Sequence, residues 1–165
     1  MDDTENICLA CGLCCDGTLI GHVQLKKQET PVLNQLMDLE GDPDNGFYLH
    51  PCQKYCNGCT IYQNRPFQCK SFECGLLKSV EQGKTDFSSA LRSISKLKQK
   101  RKDVEESIKV WGINLKSNSF YFQMVELEKH LRKESSHSTV KAKTLKSQLK
   151  ELNLFVGKSF GVFFY

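Results

Sequence analysis

The first half of this chain is organised around residues 8–15, which read C-L-A-C-G-L-C-C and contain four cysteines. All nine cysteines of the 165-residue chain lie within its first 74 residues. A C-x2-C spacing lets two thiolates of one tight turn bind the same metal ion. Cys8 with Cys11, and Cys11 with Cys14, both have this spacing, and Gly12 gives the turn conformational freedom. Residues 8–15 therefore predict a metal site with thiolate ligands.

A second pair of cysteines, further along the chain, has the same spacing. Cys56 and Cys59 enclose Asn57 and Gly58, two residue types that favour the left-handed backbone of a metal-binding knuckle. Two such knuckles in separate segments indicate metal binding more strongly than either does alone. The remaining cysteines of the first half are Cys52, Cys69 and Cys74.

Disulfide bonds are a poorer explanation for these thiols. Their number is odd, and Cys14 and Cys15 are adjacent, which makes them an awkward pair to bridge. The N-terminal residues M-D-D-T-E-N are acidic and no apolar run follows them, so we expect no export signal. No stretch approaches the ~18 apolar residues of a membrane span. We therefore expect a cytoplasmic protein with reduced thiols and no membrane partner.

The identity of the metal stays open between zinc and iron, because thiolates bind both. Nine thiols exceed what one tetrahedral ion can bind, so we expect two sites or a polynuclear site such as an iron–sulfur cluster. The first three cysteines match the start of a ferredoxin-type run, but Thr18 occupies the fourth position. His50 and His22 are weaker candidate ligands. The candidate metal ligands are Cys8, Cys11, Cys14, Cys15, Cys52, Cys56, Cys59, Cys69 and Cys74.

The two halves of the chain differ in charge as well as in cysteine content. Residues 1–74 carry five Lys or Arg and ten Asp or Glu, a net charge of −5. Residues 75–165 carry 18 Lys or Arg and nine Asp or Glu, a net charge of +9. This change in composition predicts two modules, a cysteine-cluster metal-binding module over residues 1–78 and a helical region over residues 79–165.

The first module is expected to combine short strands and short helices. Its strands are predicted at Thr18–Leu25, Phe47–Leu49 and Cys59–Tyr62. A helix is predicted at Lys26–Leu39, and its buried face is expected to be Val32, Leu33, Leu36 and Leu39. Another helix is predicted to begin near Asn64, to include Cys69 and to extend toward Cys74. Arg65 is expected to bind a carbonyl or to offset the negative charge of the thiolates.

The second module is predicted to be helical. Seven positions from Ala90 to Trp111 are spaced alternately four and three residues apart, and all are apolar except Arg101. Asp86 is the expected N-cap of this helix, and Gly112 is its expected C-terminal stop.

Two further helices are predicted at about Ser119–Lys133 and Ala142–Leu152, separated by a polar loop over residues 134–139. The final residues, F-V-G-K-S-F-G-V-F-F-Y, are too apolar to be left in water, so we expect them to pack on the helices or on a protein partner. A basic run at residues 96–102 favours a solvated helix face, because three acidic residues follow it within residues 103–106. Binding to nucleic acid is the less favoured interpretation of this run.

The cysteine pattern resembles that of a known family. The resemblance is carried by residues 8–15, by Pro51-Cys52, by C-T-I-Y-Q-N-R-P-F-Q-C at residues 59–69, and by Phe72 and Cys74. In these stretches, residues 8–74 resemble the bacterial cysteine-cluster family of the YkgJ type, which is described as zinc- or iron-chelating. The resemblance implies that every cysteine except Cys56 belongs to the chelating set. Residues 75–165 carry no part of the pattern.

The expected fold is α+β, with a small irregular module centred on a metal followed by a bundle-like region of three helices. The leading functional hypothesis is a cytoplasmic metal-binding protein that chelates zinc or iron through thiolates, in a structural, metal-handling or redox role. One alternative is an iron- or iron–sulfur-dependent enzyme, for which the sequence identifies no catalytic residue. The other is a zinc-stabilised adaptor that binds nucleic acid or protein through its basic helices.

Overall fold

A computed structural model of the protein describes residues 3–133 and 140–165, with side chains described from residue 7 onward. The predicted polar loop at residues 134–139, which includes His137, lies outside the described residues. The chain divides into two compact units. Unit 1 comprises Met1–Glu73 with Asn118–Tyr121, and unit 2 comprises Cys74–Ser117 with Phe122–Tyr165.

The α+β class predicted from the sequence is confirmed, since the described residues form seven α-helices and one two-stranded antiparallel sheet. None of the described helices combines the length and the apolar character that crossing a membrane requires.

Unit 1 is built from short elements around a small core. They are α1 (Asp3–Cys11), β1 (His22–Gln24), α2 (Thr30–Leu33), β2 (Phe47–Leu49), a 3-10 turn (Tyr62–Asn64) and α3 (Phe67–Ser71). The strands β1 and β2 pair antiparallel, with Val23 opposite Tyr48. Both side chains are buried, and the residues that complete this core are Leu25, Leu33, Met37 and Cys52. A cysteine is therefore part of the core of unit 1.

The helix predicted at Lys26–Leu39 is wrong in extent and in its buried face. Only α2 is regular helix, because the Glu29 carboxylate accepts a hydrogen bond from the Lys26 N–H at 2.9 Å and closes a turn before the helix begins. Leu33 is buried as predicted, but Val32 and Leu36 are exposed. Met37 is buried instead, since its backbone N–H bonds the Leu33 carbonyl at 2.9 Å and continues one irregular turn.

Other boundaries in unit 1 also differ from the predictions. The strand predicted at Thr18–Leu25 is limited to β1, whereas β2 has its predicted bounds. The strand predicted at Cys59–Tyr62 is replaced by one isolated bridge and a 3-10 turn. The helix predicted from Asn64 begins at Phe67 and ends at Ser71, so it includes Cys69 but not Cys74. The helix α1 was not predicted, and its last turn holds Cys8 and Cys11 on one face.

Unit 2 contains the longer helices, namely α4 (Gly75–Glu81), α5 (Phe87–Val110), most of α6 (Phe120–Lys133) and α7 (Val140–Phe160). Asp86 caps α5 as predicted, because its carboxylate accepts a hydrogen bond from the Ser89 N–H at 2.9 Å. Arg101, the one charged position in the predicted apolar seam of α5, forms an ion pair with Glu105 at 2.7 Å. The predicted apolar seam of α5 is confirmed at its buried positions, Ala90, Ile94, Leu97 and Val104.

The apolar end of the chain packs within unit 2, which is one of the two outcomes predicted for it. The helix α7 continues to Phe160, beyond the predicted end at Leu152, and buries Val156 and Phe160. Phe164 is buried beyond the helix, and its N–H donates to the Asn153 side-chain oxygen at 2.9 Å. Phe160 and Phe164 thus extend the core of unit 2, whereas Phe163 and Tyr165 are exposed.

Candidate metal centre

A compact turn after α1 holds Cys14 and Cys15. Gly12 has a φ of +69°, and its carbonyl accepts a hydrogen bond from the Asp16 N–H at 2.9 Å. A Cβ atom at residue 12 would overlap the ring and hydroxyl of Tyr55, which lie against the turn. Glycine is therefore required at this position both for the left-handed backbone and for the close approach of Tyr55.

The backbone carbonyl of Cys15 joins this turn to the segment that carries Cys52. It accepts one hydrogen bond from the Cys52 N–H at 2.8 Å and another from Nδ1 of His50 at 3.1 Å. Because a carbonyl can only accept, the imidazole proton lies on Nδ1. Burial lowers the pKa of His50 to about 4, so the ring is neutral near pH 7. His50 therefore positions Cys15 and carries no charge in doing so.

The left-handed turn predicted at residues 56–59 forms the tip of a longer segment, residues 52–59, which we call the knuckle. Asn57 has a φ of +50° and Gly58 a φ of +150°, with a backbone hydrogen bond of 2.9 Å across the tip. At the base of the knuckle, the Lys54 N–H donates to the Sγ atom of Cys52 at 3.4 Å. A hydrogen bond to sulfur favours its thiolate form, which is the form that binds metals.

The helix α3 carries Cys69 and is fixed by the side chain of Glu29 and by its own Gln68. The Glu29 carboxylate accepts a hydrogen bond from the Phe67 N–H at 2.6 Å, which satisfies a free donor in the first turn of the helix. The Gln68 side chain bonds the backbone edge of β1 twice, at 2.8 and 3.3 Å. Cys69 is held beside Tyr48, whose hydroxyl oxygen lies 3.3 Å from its sulfur.

Four thiols of unit 1 lie near one another, and we call Cys15, Cys52, Cys59 and Cys69 the thiol cluster. Burial, followed by the negative charges of Cys59, Cys52 and Cys69, raises the pKa of Cys15 to about 12. Burial also raises the pKa of Cys52 and of Cys69. Cys15 and Cys69 pack against the core cluster that contains Cys52. Because charge interactions weaken with distance, these mutual effects place the four sulfurs within electrostatic range of one another.

Tyr48 is a site residue that the sequence analysis missed. Burial, and then the charge of Cys69, raise the pKa of Tyr48 above its usual range, so the hydroxyl keeps its proton. It can therefore donate to the Cys69 sulfur when that sulfur is a thiolate. The only signal in the sequence is its place at the middle of a three-residue strand, which does not distinguish it from an ordinary core tyrosine.

The chemistry of the thiol cluster fits a metal such as zinc or iron, since both bind sets of four thiolates. Burial keeps the thiols of Cys15, Cys52 and Cys69 protonated in the metal-free protein, and a bound cation supplies the positive charge that reverses this. Within residues 7–133 and 140–165, no group of three or more His, Cys, Asp or Glu side chains has the geometry of a formed metal site. Metal binding would therefore require the four sulfurs to move closer together.

The other five predicted ligands lie outside the thiol cluster as defined here. Cys8 and Cys11 lie in the last turn of α1, and Cys14 lies in the turn that follows. Cys56 is exposed at the knuckle tip. Cys74 lies in unit 2, where its sulfur accepts a hydrogen bond from the N–H of Leu77 at 3.5 Å and caps α4.

The histidines singled out in the sequence differ from one another in burial. His50 is buried, as described above, and its Nε2 has no hydrogen-bond partner among the described residues. His22 is exposed on β1, and His130 is exposed on α6.

Comparison of the chain with models of protein families, with curated proteins and with solved structures found no match. The resemblance of residues 8–74 to the cysteine-cluster family therefore stays a prediction.

Proposed function

We propose that this protein binds zinc or iron through the thiol cluster of unit 1, in a cytoplasmic setting that keeps the thiols reduced. The observation that carries the proposal is the grouping of buried or half-buried thiols at one small core. Cys15 and Cys69 pack against the core cluster that contains Cys52, the Cys15 carbonyl binds the Cys52 N–H, and Cys59 ends the segment that begins at Cys52. Such a grouping disfavours ionisation unless a cation is present, because burial and mutual repulsion both favour the neutral thiol. The positive charge of a bound metal ion would offset both the burial of the thiolates and their mutual repulsion.

Three segments of unit 1 would supply the four ligands of this site. The knuckle supplies Cys52 and Cys59, the turn after α1 supplies Cys15, and α3 supplies Cys69. A bound metal would contribute a positive charge and a cross-link between these three segments. The Lys54 N–H and the Tyr48 hydroxyl supply hydrogen bonds to sulfur, which favour the thiolate forms.

Metal binding that supports the fold of unit 1 is the role favoured by its small core. The resemblance of residues 8–74 to a zinc- or iron-chelating family supports the same function. Zinc and iron both stay open, since four sulfur ligands suit a tetrahedral zinc ion, a single iron or an iron–sulfur cluster.

The adaptor hypothesis is weakened by the ion pairs of the basic run. Three of its side chains pair with carboxylates of unit 2 at distances of 2.7 to 3.9 Å. Charges paired in this way are less available to phosphate groups, which favours a solvated helix face over a nucleic-acid surface. The three pairs are Lys100 with Glu151, Arg101 with Glu105, and Lys102 with Glu106.

The proposed function is tested by anaerobic purification followed by elemental analysis and visible absorption spectroscopy of the same sample. Iron and sulfide in proportion, with broad visible absorption, would identify an iron–sulfur cluster. A colourless protein with stoichiometric zinc would identify a zinc site. A protein that contains no metal and takes up neither ion after reduction and reconstitution would contradict the proposal.

A further inference from the structure

Unit 2 contains a cavity that lies outside the candidate metal centre and is lined by residues of α5 and α7. Its volume of about 390 Å³ falls in the range of small-molecule binding sites. Of the six residues that line it, two carry carboxylates, two carry a hydroxyl or amide oxygen, one is aliphatic and one is aromatic. None of these six carries a positive charge. They are Asp103, Glu106, Ser107, Val110, Trp111 and Gln148.

The way in which α5 ends fixes the position of Trp111, the half-buried residue that caps the helix. Gly112 follows with a φ of +65°, and its N–H bonds the Lys109 carbonyl at 3.2 Å. The N–H of Ile113 bonds the Ile108 carbonyl at 3.1 Å, which completes a Schellman motif. The aromatic residue is therefore held beside the last turn of α5, where the negative end of the helix dipole favours a cation.

Asp103 and Glu106 give the cavity its negative charge. They lie three residues apart on α5, so they share one face of the helix. Oδ1 of Asp103 accepts a hydrogen bond from Gln99 at 2.7 Å, and Oε1 of Glu106 lies 3.9 Å from Nζ of Lys102. Because a carboxylate has about four acceptor sites on its two oxygens, both groups can accept further hydrogen bonds. The two carboxylates therefore favour a positively charged ligand with several donors.

Gln148 adds an acceptor that needs a donor. Its Oε1 is shielded from water and has no hydrogen-bond partner among the described residues. A buried acceptor without a donor is unfavourable, so this oxygen needs an explanation. The amide turns readily about its last side-chain bond, so Oε1 can turn toward a donor in the cavity that Gln148 lines.

We propose that this cavity binds a guanidinium group, carried either by free arginine or by an arginine side chain of a peptide. A guanidinium is flat, stacks on a tryptophan ring and presents five N–H donors in a fork that fits carboxylates. Trp111 would contact its face, while Asp103, Glu106 and Gln148 would accept its hydrogen bonds. An ammonium group has three donors, is more strongly hydrated and cannot stack in this way. The inference does not rest on metal binding, because all six residues belong to unit 2.

The first test measures binding of L-arginine to the full chain by isothermal titration calorimetry. L-Citrulline is the matched control ligand, because a neutral urea replaces the guanidinium at nearly the same size. L-Lysine tests an ammonium group in its place. We expect arginine to bind at least about 10-fold more tightly than either control, the effect of about one charge-assisted hydrogen bond. Arginine should also change the fluorescence of Trp111, the single tryptophan of the chain.

A fourth ligand distinguishes the two sources of the guanidinium. Nα-acetyl-L-arginine amide has the side chain of arginine but has peptide bonds in place of the free amino and carboxylate groups. Tighter binding of this compound than of arginine would support a peptide as the source. Tighter binding of arginine would support the free amino acid.

Variants of the carboxylates test the site itself. Glu106→Gln and Asp103→Asn remove one charge each at exposed positions, so the fold should be kept, and each should weaken arginine binding about 10-fold. Glu105→Gln is the matched control, since it removes the same charge from α5. Glu105 pairs with Arg101 and is not among the residues that line the cavity, so E105Q should bind arginine as the wild type does.

Gln148→Met separates a binding role from a structural one. Methionine has a similar size but no acceptor, so Q148M should weaken arginine binding without lowering the free energy of unfolding measured in urea. Unchanged arginine affinity in folded Q148M would remove Gln148 from the site.

Three results would overturn the proposal as a whole. They are no binding of arginine or its acetylated amide at millimolar concentrations, equal affinities for arginine, citrulline and lysine, and equal losses of affinity in E106Q and E105Q. Each would leave metal binding by the thiol cluster untouched, because elemental analysis measures that function separately.

Discussion

Unit 1 and unit 2 are stabilised by different means. Unit 2 contains helices of 24 and 21 residues whose buried positions, such as Leu97 and Leu152, form continuous apolar seams. In unit 1 the strands have three residues each, and its longest complete helix, α1, has nine. Elements this short are marginal by themselves. Periodic burial of apolar side chains is thus enough to explain the fold of unit 2. The core of unit 1 is bordered by thiols, which a bound metal would hold together.

The largest effect is expected from a cluster cysteine compared with a cysteine outside the cluster. Cys52→Ser removes a buried sulfur and should abolish metal binding and destabilise unit 1, since metal binding contributes on the order of 10 kcal/mol in small zinc domains. Cys56→Ser, at an exposed position, should keep the wild-type metal content. Elemental analysis of both variants is the measurement. Equal metal contents in the two would contradict the assignment of Cys52 and Cys56.

A core substitution in unit 2 tests whether apolar burial stabilises this unit independently of metal binding. Leu97 is fully buried, so Leu97→Ala should lower the free energy of unfolding of unit 2 by about 2–5 kcal/mol. Urea unfolding followed by the fluorescence of Trp111, the single tryptophan, reports on this unit. Metal content should not change. Loss of metal in L97A would show that the two units do not fold independently.

The buried His50 predicts a pH dependence that belongs to unit 1 alone. Its pKa is lowered from 6.5 to about 4, so between these values the unfolded chain binds a proton that the folded chain does not. Its contribution to stability is therefore complete above pH 6.5 and lost as the pH falls to 4, by about 3 kcal/mol at most.

The measurement is urea unfolding of the metal-free protein at several pH values, followed by amide NMR signals of unit 1. His50→Asn keeps a donor near the Nδ1 position but does not titrate, so it should bond the Cys15 carbonyl and show a flatter pH profile. His50→Leu should lose the hydrogen bond as well. Identical pH profiles for the wild type and H50N would rule out the buried imidazole as the source.

The smallest effect is expected at His130. This side chain is exposed on α6 in unit 2, so His130→Ala should leave metal content unchanged and stability within about 0.5 kcal/mol. Elemental analysis and urea unfolding check both values. Any loss of metal in this variant would show that unit 2 contributes a ligand.

The sequence predicted most where spacing alone determines structure. The seam of α5 and its Asp86 cap follow from local rules, and so does the left-handed turn at Asn57. These features need no knowledge of distant residues. The prediction of a metal site from cysteine spacing uses a local rule as well, and it stays a prediction.

The sequence predicted least where distant polar groups complete an element. The start of α3 depends on Glu29, which lies 38 residues before Phe67. The turn at Gly12 packs against Tyr55, and the Cys69 sulfur is held beside the hydroxyl of Tyr48. No local pattern marks these pairings, so the selection of four thiols from nine required the structure.

The central claim is that a metal bound by the thiol cluster stabilises unit 1 and not unit 2. The most direct measurement is amide hydrogen exchange by mass spectrometry on reduced, metal-free protein before and after titration with zinc or iron. We expect slower exchange at residues 12–18, 47–59 and 67–71 as the metal binds, with unchanged exchange in α5 and α7. Metal uptake without added protection in those segments, or no uptake at all, would contradict the claim.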